Sequence, residues 1–243
     1  MPPLWTPPID EMTMWIDPSD GDSVTLDPLV VNVTDLSGNS HDGTGSGTTK
    51  PSLSVAAING LDALSCSGDW LEISGGGITC TTQVVTFSIF NRASAGVTAC
   101  PLGSFDVGPG LNPFYWVSTD NSMYANYSAT SLSLGTSTAF GNFLVTTIKN
   151  GTALTVRRNG IQLGTRPDGG VAGYPMNRIG RNVSYSHYGL LGEQISCDTI
   201  VDYEKYEGYL AHKWGITLYA SHPYFASPPY DPFWCNFKGQ SEL

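Results

Sequence analysis

Apolar and polar residues alternate with a period of two along most of this chain, and one long stretch shifts to a helical period. From Ile200 onward, Tyr203, Tyr206 or Glu207, Leu210 and Trp214 follow at steps of three, four or seven. That spacing predicts an amphipathic helix over about Ile200 to Trp214, with Tyr, Leu and Trp on one face against a sheet. Thr199 and Asp202 form a start signal, and Gly215 suits the left-handed position past the end. Glu204, Lys205 and Lys213 are expected in water on the opposite face. His212 and Lys213, in the last turn, complement the negative end of the helix dipole, which makes His212 a capping or packing residue.

The remainder reads as strands and turns. QVVTFSIFNRAS places Val85, Phe87 and Ile89 on alternate positions, with Phe90 breaking the period, as in a strand covered on both faces and central to a sheet. From Phe143 onward, three alternating runs separated by Asn150-Gly151 and Asn159-Gly160 specify a meander. Asn59-Gly60 and Ser67-Gly68-Asp69 mark further turns. MNRIGRN and HYGLLGEQISCD supply two more strands, the second leading into the helix. Runs of strands followed by one late helix exclude a doubly wound parallel fold. The expected fold is all-β: a two-sheet antiparallel sandwich of about twelve to fourteen short strands, with one C-terminal helix packed on it.

Composition narrows the function classes. The 243 residues carry a formal net charge of −10 with only 11 Lys and Arg, so no basic stripe exists to neutralise phosphates, and nucleic acid is not expected as a partner. The start, MPPLWTPPIDEM, has neither a basic leader nor a continuous apolar core, and no apolar run is long enough to span a bilayer. Neither an export signal nor membrane insertion is therefore expected. Five widely spaced cysteines without a CxxC pair suggest buried free thiols and synthesis in a reducing cytoplasm.

Candidate chemistry is sparse. Asp17, Asp20 and Asp22 share one turn and are weak calcium candidates, because their spacing does not match the EF-hand alternation and Asp is a common turn residue. No other cofactor is indicated. Asp35 and His41 lie in the polar, glycine-rich loop after VVNVTDL, where glycan contacts compete with a hydrogen-bonded turn. Tyr115, Trp116, Tyr124 and Tyr127 crowd the middle third, and their rings could stack on sugars as well as fill a core. Met1 to Asp10 reads as an extended, proline-rich arm whose Trp5 needs a place to pack. After His222-Pro223-Tyr224, the segment 228–243 holds Tyr230, Phe233, Trp234 and Phe237 among prolines. With Trp5, these aromatics are expected either to fold back over the sandwich or to dock on a neighbouring subunit. No GxSxG elbow or phosphate-binding glycine loop occurs, and no catalytic residue is assigned.

The order LWTPPIDEMTMWIDPSD, VTDLSGNSHDG, NGLDALSCSGDWLEI, TVRRNGIQLG, GLLGEQISCD and EGYLAHKWGI with HPY resembles the concanavalin A-like, laminin-G-like jelly-roll modules of phage and environmental bacterial proteins. The likeness runs from about Trp5 to Tyr224. It implies a jelly roll over residues 1–227, with the helix against its edge or rim; 228–243 stays outside it as the tail that either folds back or serves as a docking arm. It also implies a non-enzymatic virion protein: a capsid or head decoration, collar or tail-fibre module at the virion surface, made in the host cytoplasm. Its partners would be other capsid or tail subunits and copies of itself, with weak binding to host surface glycans. A dedicated carbohydrate-binding host-adsorption protein is the alternative. A glycoside hydrolase, the third reading, would need two carboxylates about 5 Å apart. The nearest pair, Glu193 and Asp198, is expected on opposite sheet faces, with Glu193 in a structural hydrogen bond or ion pair.

Overall fold

The computed structural model describes residues 4–45, 50–80, 82–94, 96–103, 114–126, 132–137, 140–167, 174–182 and 185–230. Its centre is the strand Gln83–Arg92, buried on both faces as its pattern requires. On one side it pairs with Gly141–Asn150, followed by Ala153–Arg158 and Ile161–Pro167, the predicted meander. Asn159 and Gly160 both take positive φ, +52° and +81°, as a two-residue primed hairpin turn demands. On the other side lies Tyr188–Cys197, then Leu61–Ser67 and Ser52–Ile58.

A six-stranded antiparallel sheet packs over one face of this large sheet. Its order is Leu102–Gly103, Arg178–Ile179, Leu71–Ile73, Gly43–Thr44, Leu29–Val33 and Val24–Asp27. Val84, Phe90, Val145, Leu154, Val156 and Leu191 from the large sheet meet Val30, Val33, Leu71, Ile73 and Ile179 in one apolar cluster. A three-stranded sheet, Phe114–Val117, Ser122–Asn126 and Leu132–Thr136, adds Val117, Met123 and Ala125 to that cluster. The pair Ile78–Cys80 and Tyr174–Met176 adds Ile78 and Met176. The described residues thus form nineteen strands in four sheets, more and shorter than expected. Glycine and serine interrupt the apolar runs, so pairings of two or three residues are all that many segments can sustain.

The opposite face of the large sheet carries the helix. Val85, Phe87 and Ile89 point there and join Leu144, Ile148, Ile195, Tyr206, Leu210 and Trp214 in a second buried cluster. The helix therefore lies across the strands Gln83–Arg92 and Gly141–Asn150, not at the rim. Phe87 stacks on Tyr206 with centroids 5.0 Å apart. Tyr206, Leu210 and Trp214 are fully buried, each contributing about 1.5–3 kcal/mol from removed apolar surface.

The helix spans Tyr203–Trp214, three residues shorter at its start than predicted, because Asp202 is itself the cap and accepts from Lys205 N. Gly215 closes it at φ +64°. Lys213 departs from the expectation of a solvated face: its side chain is only 22% exposed and pairs with Asp17 and Glu193.

A bulge in Tyr188–Cys197 explains that departure. Leu191 faces Phe90 and Gln194 faces Ser88, so three residues on one strand match two on its neighbour. The extra residue turns Glu193 toward the helix. A Cβ at Gly192 would lie 3.0 Å from the Trp214 ring, so glycine allows the indole to close over the strand. Glu193 then accepts from Trp15 Nε1 at 2.7 Å, Trp214 Nε1 at 2.9 Å and Lys213 Nζ at 2.7 Å. A second buried tie joins helix, meander and C-terminal turn: Arg157 donates twice to Glu207, which also meets His222 Nε2 at 3.0 Å.

Candidate functional site

The arm and the polar loop predicted from sequence come together beside the first turns of the helix. Trp5 N donates to Pro229 O, and Leu4 bridges Tyr230 in antiparallel fashion, so the chain beyond the helix returns to hold the arm. The Trp5 ring sits edge-on to Tyr206 and Tyr209, with centroids 5.2 and 6.3 Å away. Lys205 Nζ lies over that ring, 4.6 Å from its centroid, a cation–π contact rather than a solvated amine. Glu11, in the turn Ile9–Glu11, accepts from the Tyr206 hydroxyl at 2.9 Å.

Asp35 organises the loop. One carboxylate oxygen accepts from Trp15 N and Ser37 N, the other from Ser37 Oγ and His41 N, at 2.8–3.0 Å. Its own N–H donates to Asp42. Four N–H or O–H donors thus meet one buried carboxylate, the pattern of a rigid Asx-type loop. Asn39 Nδ2 donates to Met12 O at 2.9 Å, and His41 Nδ1 donates to Thr13 O at 2.9 Å, which ties the loop to the arm. That bond leaves Nε2 with no protein partner among the described residues.

Between arm, loop and helix runs a groove of about 760 Å³. Trp5, Pro8, Ile9 and Met12 form its apolar wall, and Asp10, Ser37, Asn39 and Lys205 supply polar groups. A recess of about 370 Å³ shares Asp10, Met12 and Asn39 and adds Glu11, His41 and Asp198. An aromatic ring, a cation, carboxylates and an amide converge on one concave surface, the mixture that orients a hydroxyl-rich ligand. Burial pushes the Cys197 thiol, which borders this region through Tyr206 and Glu11, up to about 12, so it offers no nucleophile at neutral pH.

Of the residues singled out from sequence, Trp5 and His41 line this surface, while Asp35 is buried beneath it. Tyr124 lies on the middle strand of the three-stranded sheet, paired with Trp116, and is half-buried. The side chains of Tyr115 and Trp116, and Tyr127, Phe233, Trp234 and Phe237 entirely, lie outside the described residues; Tyr230 is 41% exposed. Among the three turn aspartates, Asp17 is buried against Lys213, Asp20 accepts from Asp22 N, and Asp22 is exposed. No group of three His, Cys, Asp or Glu is placed to hold a metal among the described residues. Asp10, Asn39 and Lys205 were not singled out as contact residues, and SGN in the loop was the available signal.

Glu193 is fully buried beneath Trp15 and Trp214. Burial first, then Asp17 nearby, raises its proton affinity above that of an ordinary glutamate, against the pull of Lys213. Burial would also lower the affinity of Lys213, but the two carboxylates outweigh it and hold the amine protonated.

No protein-family model and no curated protein matches this sequence. Solved structures do. Domain 4 of AbnA, a GH43 extracellular arabinanase from Geobacillus stearothermophilus in complex with arabinotriose, aligns with a TM-score of 0.52 at 16% identity, covering 77% of this chain and 92% of that one. The binding domain of botulinum neurotoxin DC in complex with SialylT aligns at 0.55 and 9% identity, over 86% of this chain and 53% of its own. Trypanosoma rangeli sialidase aligns at 0.54 and 10%, over 80% of this chain and 32% of its own. At these identities the likeness is one of fold: an antiparallel β-sandwich. The chain spans about half of the toxin domain and a third of the sialidase.

Proposed function

We propose that this chain is a non-enzymatic, lectin-like module that binds glycans in the groove between arm, loop and helix. The observation that carries the reading is the convergence of Trp5, Lys205, Asp10, Asn39 and His41 on one concave surface whose walls are pinned by Asp35. Carbohydrate complexes among the fold neighbours support it: arabinotriose with the arabinanase domain and SialylT with the toxin domain. Burial of Glu193 under two indoles supports a binding role over hydrolysis, since that carboxylate has no path to a glycosidic bond.

The resemblance to phage jelly-roll modules extends the proposal. The module is displayed on a virion, beside capsid or tail subunits and with copies of itself, and engages host surface glycans with no metal required. A glycan array probed with the full chain and with Trp5→Ala tests the binding. Signals that vanish in the variant, with its native circular dichroism retained, are the expected result; signals absent from both proteins, or identical in both, overturn the groove as the site. Mass spectrometry of purified particles tests the virion assignment.

A further inference from the structure

A second cavity lies far from the arm. Tyr188 and Asp198 stand at the two ends of the strand Tyr188–Cys197 and its exit, about 30 Å apart at the rise of an extended strand. Asp198 borders the arm recess, and Tyr188 walls a separate cavity of about 390 Å³. Tyr185, Thr98, Thr119, Ser186 and the Gly96–Val97 backbone form the rest of its lining.

This cavity is built on fixed loops. Arg92, only 1% exposed, donates through Nε and Nη2 to Val97 O, through Nη2 to Asn121 Oδ1 and through Nη1 to Ser137 O. Asn121 Oδ1 also accepts from Gly96 N at 3.1 Å. One buried guanidinium thereby sets three chain segments at once. Thr98 Oγ1 donates to Ser186 O, and Tyr188 N donates to Thr98 O at 3.1 Å, joining the two walls. The phenol end of Tyr188 lies over Gly68, where a Cβ would come within 3.2 Å of the hydroxyl, yet Tyr188 remains 42% exposed. Among the described residues, no carboxylate, amine, guanidinium or imidazole lines the cavity.

We propose that this cavity is a second saccharide site, selective for small neutral sugars that stack on Tyr188 and hydrogen-bond to the surrounding hydroxyls and backbone. A preorganised aromatic wall costs little entropy on binding, and an uncharged lining offers nothing to an acidic sugar. The size, near the lower end of about 300–1,000 Å³ for ligand pockets, suits a mono- or disaccharide rather than a long polymer. Two sites at opposite ends of one strand would let a single module bridge two glycan chains.

The test is saturation-transfer NMR and calorimetry on the full chain with the methyl glycosides of glucose, galactose and arabinose, alongside Tyr188→Ala, Tyr185→Ala and Trp5→Ala. At least one sugar is expected to transfer saturation to the protein, with affinity at least about tenfold weaker in Tyr188→Ala, intact in Trp5→Ala and unchanged by salt. Circular dichroism melts identify any variant that fails to fold, in which case Tyr188→Leu takes its place. Absence of transfer from all three sugars, or unchanged affinity in both tyrosine variants, overturns the proposal. Loss in Trp5→Ala alone removes this site and leaves the arm groove standing. Loss in Tyr188→Ala alone establishes this site and leaves the arm groove to be judged by the glycan array.

Discussion

Lys213 Nζ lies 2.7 Å from Glu193 Oε2, so the last turn of the helix is tied to the bulge of a central strand by a buried ion pair. Asp17, from the loop after Met14–Ile16, meets the same amine. One cation therefore serves two carboxylates, and helix, strand and N-terminal region share a single electrostatic joint.

Removing that cation leaves two buried carboxylates facing each other. Lys213→Met is expected to cost about 3 kcal/mol of stability, read as a lower urea midpoint at unchanged m-value. Glu193→Gln relieves the repulsion in a Lys213→Met background, so the double variant should be more stable than that single one. Additive losses would show that the carboxylates do not share the amine. Glu193→Gln alone should leave glycan binding in place, since the side chain reaches neither cavity.

His187 makes the fold sensitive to mild acid. Burial lowers its affinity for protons to about 4, against backbone hydrogen bonds at Leu190 and Asn91 that work the other way. The unfolded chain takes up this proton near pH 6.5, while the folded one resists until about 4. Stability from this group is therefore full above about 6.5 and falls as the pH drops toward 4, by about 3 kcal/mol in all. Melting temperatures followed from pH 8 to 4 should show this decline, and His187→Phe, which keeps a ring against Phe90, should flatten it.

Glu207 acts at lower pH. Burial alone would raise its proton affinity, but His222 and Arg157 lower it below the usual carboxylate range. Its contribution is present above the unfolded value of about 4.3 and is lost as pH falls through the depressed folded value. Glu207→Gln should destabilise the protein at pH 7 by about 3 kcal/mol and blunt the acid transition below pH 4. An acid transition of unchanged steepness would mean that other carboxylates carry it.

The thiols of Cys66, Cys100 and Cys197 are buried, free and pushed upward by burial. Peptide mapping after iodoacetamide treatment at pH 8 should find these three unmodified in the native protein and modified in denaturant. Labelling under native conditions would show that the segments covering them open readily.

Much of the architecture was legible in the residues. The central strand, the meander with its Asn159-Gly160 turn and the C-terminal helix followed from period and turn chemistry; the first hairpin instead turns on Gly151 and Thr152, because Asn150 pairs with Ala153 as the last residue of its strand. The helix's place on the sheet face did not, because periodicity marks which side of a helix is apolar and not which surface receives it. Lys213 shows the same limit: its position belongs to a polar face, yet a bulge created elsewhere brings Glu193 to meet it. Among candidate site residues, Trp5 and His41 reached the groove, whereas Asp35 became the pin of its own loop, because short acidic side chains in turns are consumed by nearby backbone N–H groups. Tyr185 and Tyr188 escaped notice since SYSHYG reads as an ordinary strand entry, and only the folded chain brings Thr98 and Thr119 against them.

The pairing of Leu4 with Tyr230 carries a mechanical consequence. A load applied through Leu4 and Tyr230 would pull on the arm and its short antiparallel partner before it reached the sandwich. Those few bonds would separate one after another, as in a zipper, and release the arm with Trp5. The groove that Trp5 walls would then open under tension while the β-sheets stayed folded.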